Sequence, residues 1–178
     1  FANLECQQGD SYGFCVTSLE CSNFGGTSLG SCARGFGTCC FKSLTTCDTT
    51  SNMNVTYIRN PDWSSATTSS GTCNYYIERA ANVCQLRLDF EKFEMYIPSA
   101  DGDTDDGKCD NDKLTITPKS ADTFDYFCGK MPPKFHYYVD VRDISTDTHT
   151  NFQFTMGSAV TQSRYWSIRV TQVSCDMR

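Results

Sequence analysis

The chain has 178 residues, enough for one domain of ordinary size and a small appendage, with a net charge of −6. Its 15 Lys and Arg residues are scattered, so no basic face stands ready for nucleic acid or an anionic membrane, and no apolar run of about 18 residues could span a bilayer. Twelve cysteines without paired Cys-x-x-Cys spacings point to a disulfide framework made in an oxidising compartment, not to a metal-thiolate protein.

In chain order, the sequence opens on Phe1 without a methionine, and the expectation is a secreted protein whose signal peptide has been removed. Seven cysteines fall within the first 47 residues: Cys6, Cys15, Cys21, Cys32, Cys39, Cys40 and Cys47. This stretch is rich in glycine and holds few apolar residues, so disulfides must replace a core. Cys39 and Cys40 are adjacent. A disulfide between neighbours strains its own geometry, so the two must reach different partners.

From Asn54 onward, short runs alternate apolar and polar residues: Val55-Tyr57, Tyr75-Ile77, Leu86-Leu88-Phe90, Leu114-Ile116, Tyr137-Val139-Val141, Phe152-Phe154 and Tyr165 to Val173. In the last, Trp166, Ile168, Val170 and, one step on, Val173 form the apolar side. Period two with β-branched and aromatic residues predicts half-buried strands, and no stretch has a convincing helical period. The fold class expected is all-β: an antiparallel β-sandwich after a small disulfide-rich knot. Asn54-Val55-Thr56 is an N-glycosylation sequon in a polar stretch suited to a surface loop.

Ser99 to Asp112 reads SADGDTDDGKCDND, with six aspartates. Alternating hard oxygen ligands suit calcium, which makes Asp101, Asp103, Asp105 and Asp112 candidate ligands. Asp106 stands where an EF-hand loop needs glycine, so that motif is excluded. The competing reading is a solvated acidic hairpin that guards a sheet edge. Only His136 and His149 could serve as a base, and no nucleophile motif or zinc spacing accompanies either, so no catalysis is expected. Tyr75-Tyr76, Tyr126-Phe127 and Phe135 to Tyr138 are aromatic clusters suited either to a protein interface or to core packing.

Six segments follow one another in the order of a known family. They are Ile58-Arg59-Asn60-Pro61-Asp62-Trp63, Cys73-Asn74-Tyr75-Tyr76-Ile77, Leu86 to Phe93, Cys109 to Ile116, Cys128-Gly129 and Arg164-Tyr165-Trp166. Together they resemble a CUB domain, an extracellular jelly-roll-type β-sandwich, over some 120 residues, and Cys84 to Phe90 looks particularly like arthropod secreted proteins. The resemblance implies a Cys109–Cys128 disulfide. It also implies Cys47–Cys73, leaving Cys84 for Cys175, while Cys73–Cys84 with Cys47–Cys175 stays open as the alternative. Calcium-binding CUB domains carry three carboxylates at positions that read Tyr96, Asp112 and about Ser158 here, so one of the three remains.

The six N-terminal cysteines ending in an adjacent pair, with Gly13-Phe14-Cys15-Val16, resemble an arthropod clip domain, although the Cys21 to Cys32 interval is short for one. That resemblance implies Cys6–Cys39, Cys15–Cys32 and Cys21–Cys40. The expected organisation is a clip-like module over 1–46 and a CUB-like domain over 47–178. By resemblance the function is non-catalytic extracellular recognition or assembly, through a protein partner or self-association, with carbohydrate a further candidate ligand. The alternatives are a regulatory member of a proteolytic cascade without a protease domain, or a subunit of a filament, matrix or adhesive.

Overall fold

The computed structural model describes residues 4–95, 108–117, 126–142, 148–158 and 162–177. Its N-terminal part contains β1 (Glu5–Gln8), β2 (Ser11–Val16), a short helix α1 (Ser18–Asn23), β3 (Thr27–Cys32) and β4 (Gly37–Phe41). The strands form one antiparallel sheet in the order β1-β2-β4-β3. Consecutive residues on a strand face opposite ways, and this resolves the adjacent cysteines on β4. Cys39 bonds to Cys6 on β1, Cys40 to Cys21 on α1, and Cys15 to Cys32. The Cys6–Cys39 bridge passes over β2 at Gly13, which is paired with Cys6 and where a Cβ would lie 3.4 Å from Cys39 Sγ and collide with the Cys40 carbonyl.

Sequence periodicity missed α1, which is only 6 residues long. Its signal is Thr17-Ser18-Leu19-Glu20, a capping box. Glu20 N–H donates to Thr17 Oγ1 at 3.1 Å, and Thr17 N–H donates to Glu20 Oε2 at 2.8 Å.

The remaining strands are β5 (Ser43–Leu44), β6 (Thr49–Ser51), β7 (Val55–Arg59), β8 (Gly71–Glu78), β9 (Val83–Glu94), β10 (Lys113–Thr117), β11 (Phe135–Asp140), β12 (His149–Met156) and β13 (Tyr165–Ser174). They form a sandwich of two sheets, β10-β12-β8-β6 and β11-β9-β13-β7-β5, antiparallel except for the pairs β5–β7 and β6–β8. Its disulfides are Cys47–Cys73, Cys84–Cys175 and Cys109–Cys128, and no disulfide joins the N-terminal sheet to the sandwich.

The core lies between the two sheets. Alternation puts Leu86, Leu88 and Phe90 of β9, Phe152 and Phe154 of β12, and Ile168 and Val170 of β13 inside. Trp166 stacks on Phe154 at 4.2 Å between ring centroids, and Tyr75 meets Phe154 edge-on at 5.7 Å. Tyr75 is therefore core rather than surface; its hydroxyl donates to the Arg59 carbonyl at 2.7 Å, and burial pushes its pKa up.

Phe90 and Phe93, three residues apart, both point inward. A strict alternation forbids this, and a bulge allows it: the register shifts so that Trp166 pairs with Phe93 and Ile168 with Phe90. On β13 the inward position after Val170 is held by Gln172, not by Val173 as the alternation was read. A buried amide there is saturated: Gln172 Nε2 donates to the Met53 and Glu78 carbonyls, and Oε1 accepts from Ala80 N–H.

Candidate functional site

The N-terminal sheet docks on the outer face of the five-stranded sheet. On β7, Thr56 and Ile58 face the interior, so Tyr57 and Arg59 face outward, toward the N-terminal part. Tyr57 is nevertheless fully buried: Tyr12 N–H donates to its hydroxyl at 3.1 Å, and its ring lies 5.0 Å from that of Phe41. The Arg59 guanidinium sits over the rings of Tyr57 at 4.7 Å, Trp63 at 5.1 Å and Phe41 at 5.5 Å. One strand away, Arg169 lies 3.9 Å from the centroid of Tyr12. A second small core, Val16, Cys21, Cys40 and Met53 with Phe14 and Phe24, also joins the two parts, because Met53 comes from the turn between β6 and β7.

Beside this junction a groove of about 700 Å³ opens between Gln7, Asp10 and Tyr12 on one wall and β9, β11 and β13 on the other. Its floor is the outward face of β9, where period two lines up Arg87, Asp89 and Glu91. Asp89 is paired with Arg87 at 3.0 Å and Arg169 at 3.4 Å, and Glu91 lies 3.7 Å from Arg169. Burial raises the Glu91 pKa, Asp89 and Asp10 add to this, and Arg169 and Arg59 oppose it. His136 and Tyr138 extend the face onto β11. Their rings meet edge-on at 6.0 Å, and Tyr138 lies 5.8 Å from the Arg87 guanidinium. The surface mixes both charges with aromatic rings.

The second locus is one end of the sandwich, where β8, β10 and β13 begin and β7 and β12 end. Asp112 and Arg164 are both fully buried there and form an ion pair, with Nε donating to Oδ2 at 2.7 Å and Nη2 to Oδ1 at 3.1 Å. Asp112 Oδ1 also accepts from Gly157 N–H at 2.9 Å. Asn60 closes the same end from β7. Its side chain donates to the Ser65 carbonyl and Thr67 Oγ1 and accepts from Trp166 N–H.

No protein-family model matches the sequence, and no curated protein matches it. Solved structures match the chain. The crystal structure of the MASP-1 CUB2 domain bound to Ca²⁺ superimposes with a TM-score of 0.51 at 17% identity, covering 70% of this chain and 98% of that one. The full extracellular region of zebrafish Gpr126/Adgrg6 gives 0.53 at 21% identity over 73% of this chain and 15% of that one. The human MASP-1/3 CUB1-EGF-CUB2 structure gives 0.52 at 16% identity over 97% of this chain and 54% of that one. The fold is CUB-like.

Of the calcium candidates, Asp101, Asp103 and Asp105 lie outside the described residues, as does Tyr96. Asp112 is not part of a solvated acidic hairpin: it is buried and neutralised by Arg164. Among the described residues no group of three or more His, Cys, Asp or Glu side chains could hold a metal ion. The carboxylate of Asp112 thus does not fit a calcium ligand set, since both oxygens already bind a cation of the chain itself. Asn54 is half-buried in the bend before β7 rather than in an open loop, with Thr56 buried and its hydroxyl 2.7 Å from Ser51 Oγ.

The two histidines lie on different sheets, His136 on β11 and His149 at the start of β12 rather than in a turn. Of the aromatic clusters, Tyr138 and Tyr126 are exposed, while Phe127 and Tyr75 are core. Sequence reasoning gave no role to Arg164, Tyr57, Arg169 or Tyr12. On β7 the alternation predicts that Val55 and Tyr57 turn inward; the register with Ile168 and Val170 turns Thr56 and Ile58 inward instead, and Tyr57 is buried on the other face by the N-terminal part.

Proposed function

We propose that this chain is a secreted, non-catalytic recognition protein in which a clip-like knot within residues 1–46, ending before the strand Ser43–Leu44 that joins the sandwich, is stapled by its own disulfides and docked on a CUB-like domain that spans residues 47–178. The reading takes its extracellular setting from the six disulfides and from a structural neighbour described as an extracellular region. Asn54 carries an N-linked glycan in this reading, and no calcium is needed at Asp112. The observation that carries it is the groove beside the knot, where Arg87, Asp89, Glu91 and His136 face Tyr12 and Asp10, and its continuation onto exposed Tyr138 next to His136 and Arg87. Such a surface discriminates partners by charge complementarity and anchors them by aromatic area.

The test is capture from native fluid on immobilised wild-type protein and on the variant Arg87→Glu, Tyr138→Ala, beside light scattering for self-association. A partner, or a second copy, that the wild type holds and the variant releases supports the reading. A monomeric wild type that retains nothing, or a variant that captures equally well, overturns it.

A further inference from the structure

Arg164 is fully buried, and its guanidinium donates to five oxygen contacts. Two are the carboxylate oxygens of Asp112. Three are backbone carbonyls: Gly157 at 2.8 Å, Thr68 at 3.2 Å and Ser69 at 3.3 Å. These oxygens come from three different connections, ahead of β8, ahead of β10 and after β12, and Arg164 itself stands ahead of β13. The backbone of Arg164 adds two hydrogen bonds to Thr67, at 2.9 Å and 3.1 Å. The loops close tightly around the group, since a Cβ at Gly157 would run into Asn111 Oδ1.

A carboxylate with several carbonyl oxygens converging from separate loops is the donor set that a hard divalent cation selects. Here one cationic side chain fills it, and the guanidinium fork matches the carboxylate with two parallel bonds. We propose that Arg164 is a cation built into the chain where a bound metal would otherwise tie these loops together, so that this end of the sandwich is organised without calcium. Asp112 and the three carbonyls are its ligands. As applied to recognition, the proposal rests on the function proposed above: partner binding on the face beside the knot is then indifferent to chelators. As applied to the site, it stands alone.

The experiment compares thermal unfolding of the full chain in 5 mM CaCl₂ and in EGTA, for wild type, Arg164→Ala, and the charge-free double variant Arg164→Met, Asp112→Asn. The wild-type calcium shift should equal that of the double variant to within about 1 °C, since neither offers Asp112 to a metal. Arg164→Ala should melt well below wild type in EGTA and regain at least about 3 °C more in calcium than the double variant does. A wild-type calcium shift exceeding that of the double variant overturns the proposal, as does an Arg164→Ala protein that folds but gains nothing extra. If Arg164→Ala folds in neither buffer, the comparison of wild type with the double variant decides. No partner takes part in this assay, so its failure leaves the recognition reading intact, and an absent partner leaves this result intact.

Discussion

Replacing Tyr57 tests whether the knot is a docked part of the fold or a loosely tethered appendage. Tyr57 is fully buried although it faces outward from its sheet, and what covers it is the Tyr12 amide and the Phe41 ring of the knot, together with the guanidinium of Arg59 on its own strand. Truncating a buried aromatic to alanine destabilises by about 3–5 kcal/mol. For a chain of this size each kcal/mol moves the melting temperature by about 2–4 °C, so Tyr57→Ala should lower it by roughly 6–20 °C. Tyr57→Phe keeps the ring and removes the hydroxyl that accepts from Tyr12 N–H and meets Arg169, a change of about 1–2 kcal/mol.

A second readout follows from connectivity. No disulfide crosses from the first 40 residues to the rest, so a single cut after Lys42 leaves the knot held by non-covalent contacts alone. That bond is guarded in the native fold, because Tyr57 N–H donates to the Lys42 carbonyl at 2.9 Å and Ser43–Leu44 pairs with β7. Trypsin should release the knot from Tyr57→Ala under non-reducing conditions far faster than from wild type. An alanine variant that melts within about 2 °C of wild type and resists cleavage equally well would refute the docking argument.

Two further expectations concern charge and covalent closure. Glu91 has a folded-state pKa raised above its ordinary value, chiefly by burial. The native state therefore binds more protons than the unfolded chain between those two values, and stability falls as pH rises through that window. Glu91→Gln removes this loss, so its melting temperature relative to wild type should be more favourable at pH 7.5 than at pH 4, and a difference that does not change with pH would contradict the assignment. The Cys84–Cys175 bridge closes a sequence separation of 91 residues. Replacing both cysteines with serine should remove about 4–5 kcal/mol in denaturant unfolding, and a loss under about 1 kcal/mol would show that the unfolded chain is not what the bridge constrains.

The sequence by itself determined most of the sandwich strands and their faces, though not the face of β7. Alternation in Leu86 to Phe90 and in Phe152 to Phe154 encodes which side chains leave water, because burial of one face is a local demand on every second residue. It also determined the class, an all-β sandwich preceded by a cysteine-rich knot, since twelve cysteines and a near-absence of helical period admit little else. Local reading failed at two local devices, the bulge that turns both Phe90 and Phe93 inward and the capping box that starts a helix too short to show a period, and at β7, whose outer face the knot buries.

Partners were decided only by tertiary structure. Alternation reads Tyr57 as apolar and buried but not that a knot, rather than the opposite sheet, will cover it, and charge counts place Asp112 in an acidic run without revealing Arg164, 52 residues away. The sequence left two pairings open for Cys47, Cys73, Cys84 and Cys175, and the structure contains Cys47–Cys73 with Cys84–Cys175 because β9 lies beside β13 and so brings Cys84 to Cys175. The physical reason is common to all three. A residue's preference for water or interior is written in its own chemistry, whereas the group it meets depends on how long loops close, and closure entropy varies too slowly with length to be read from spacing.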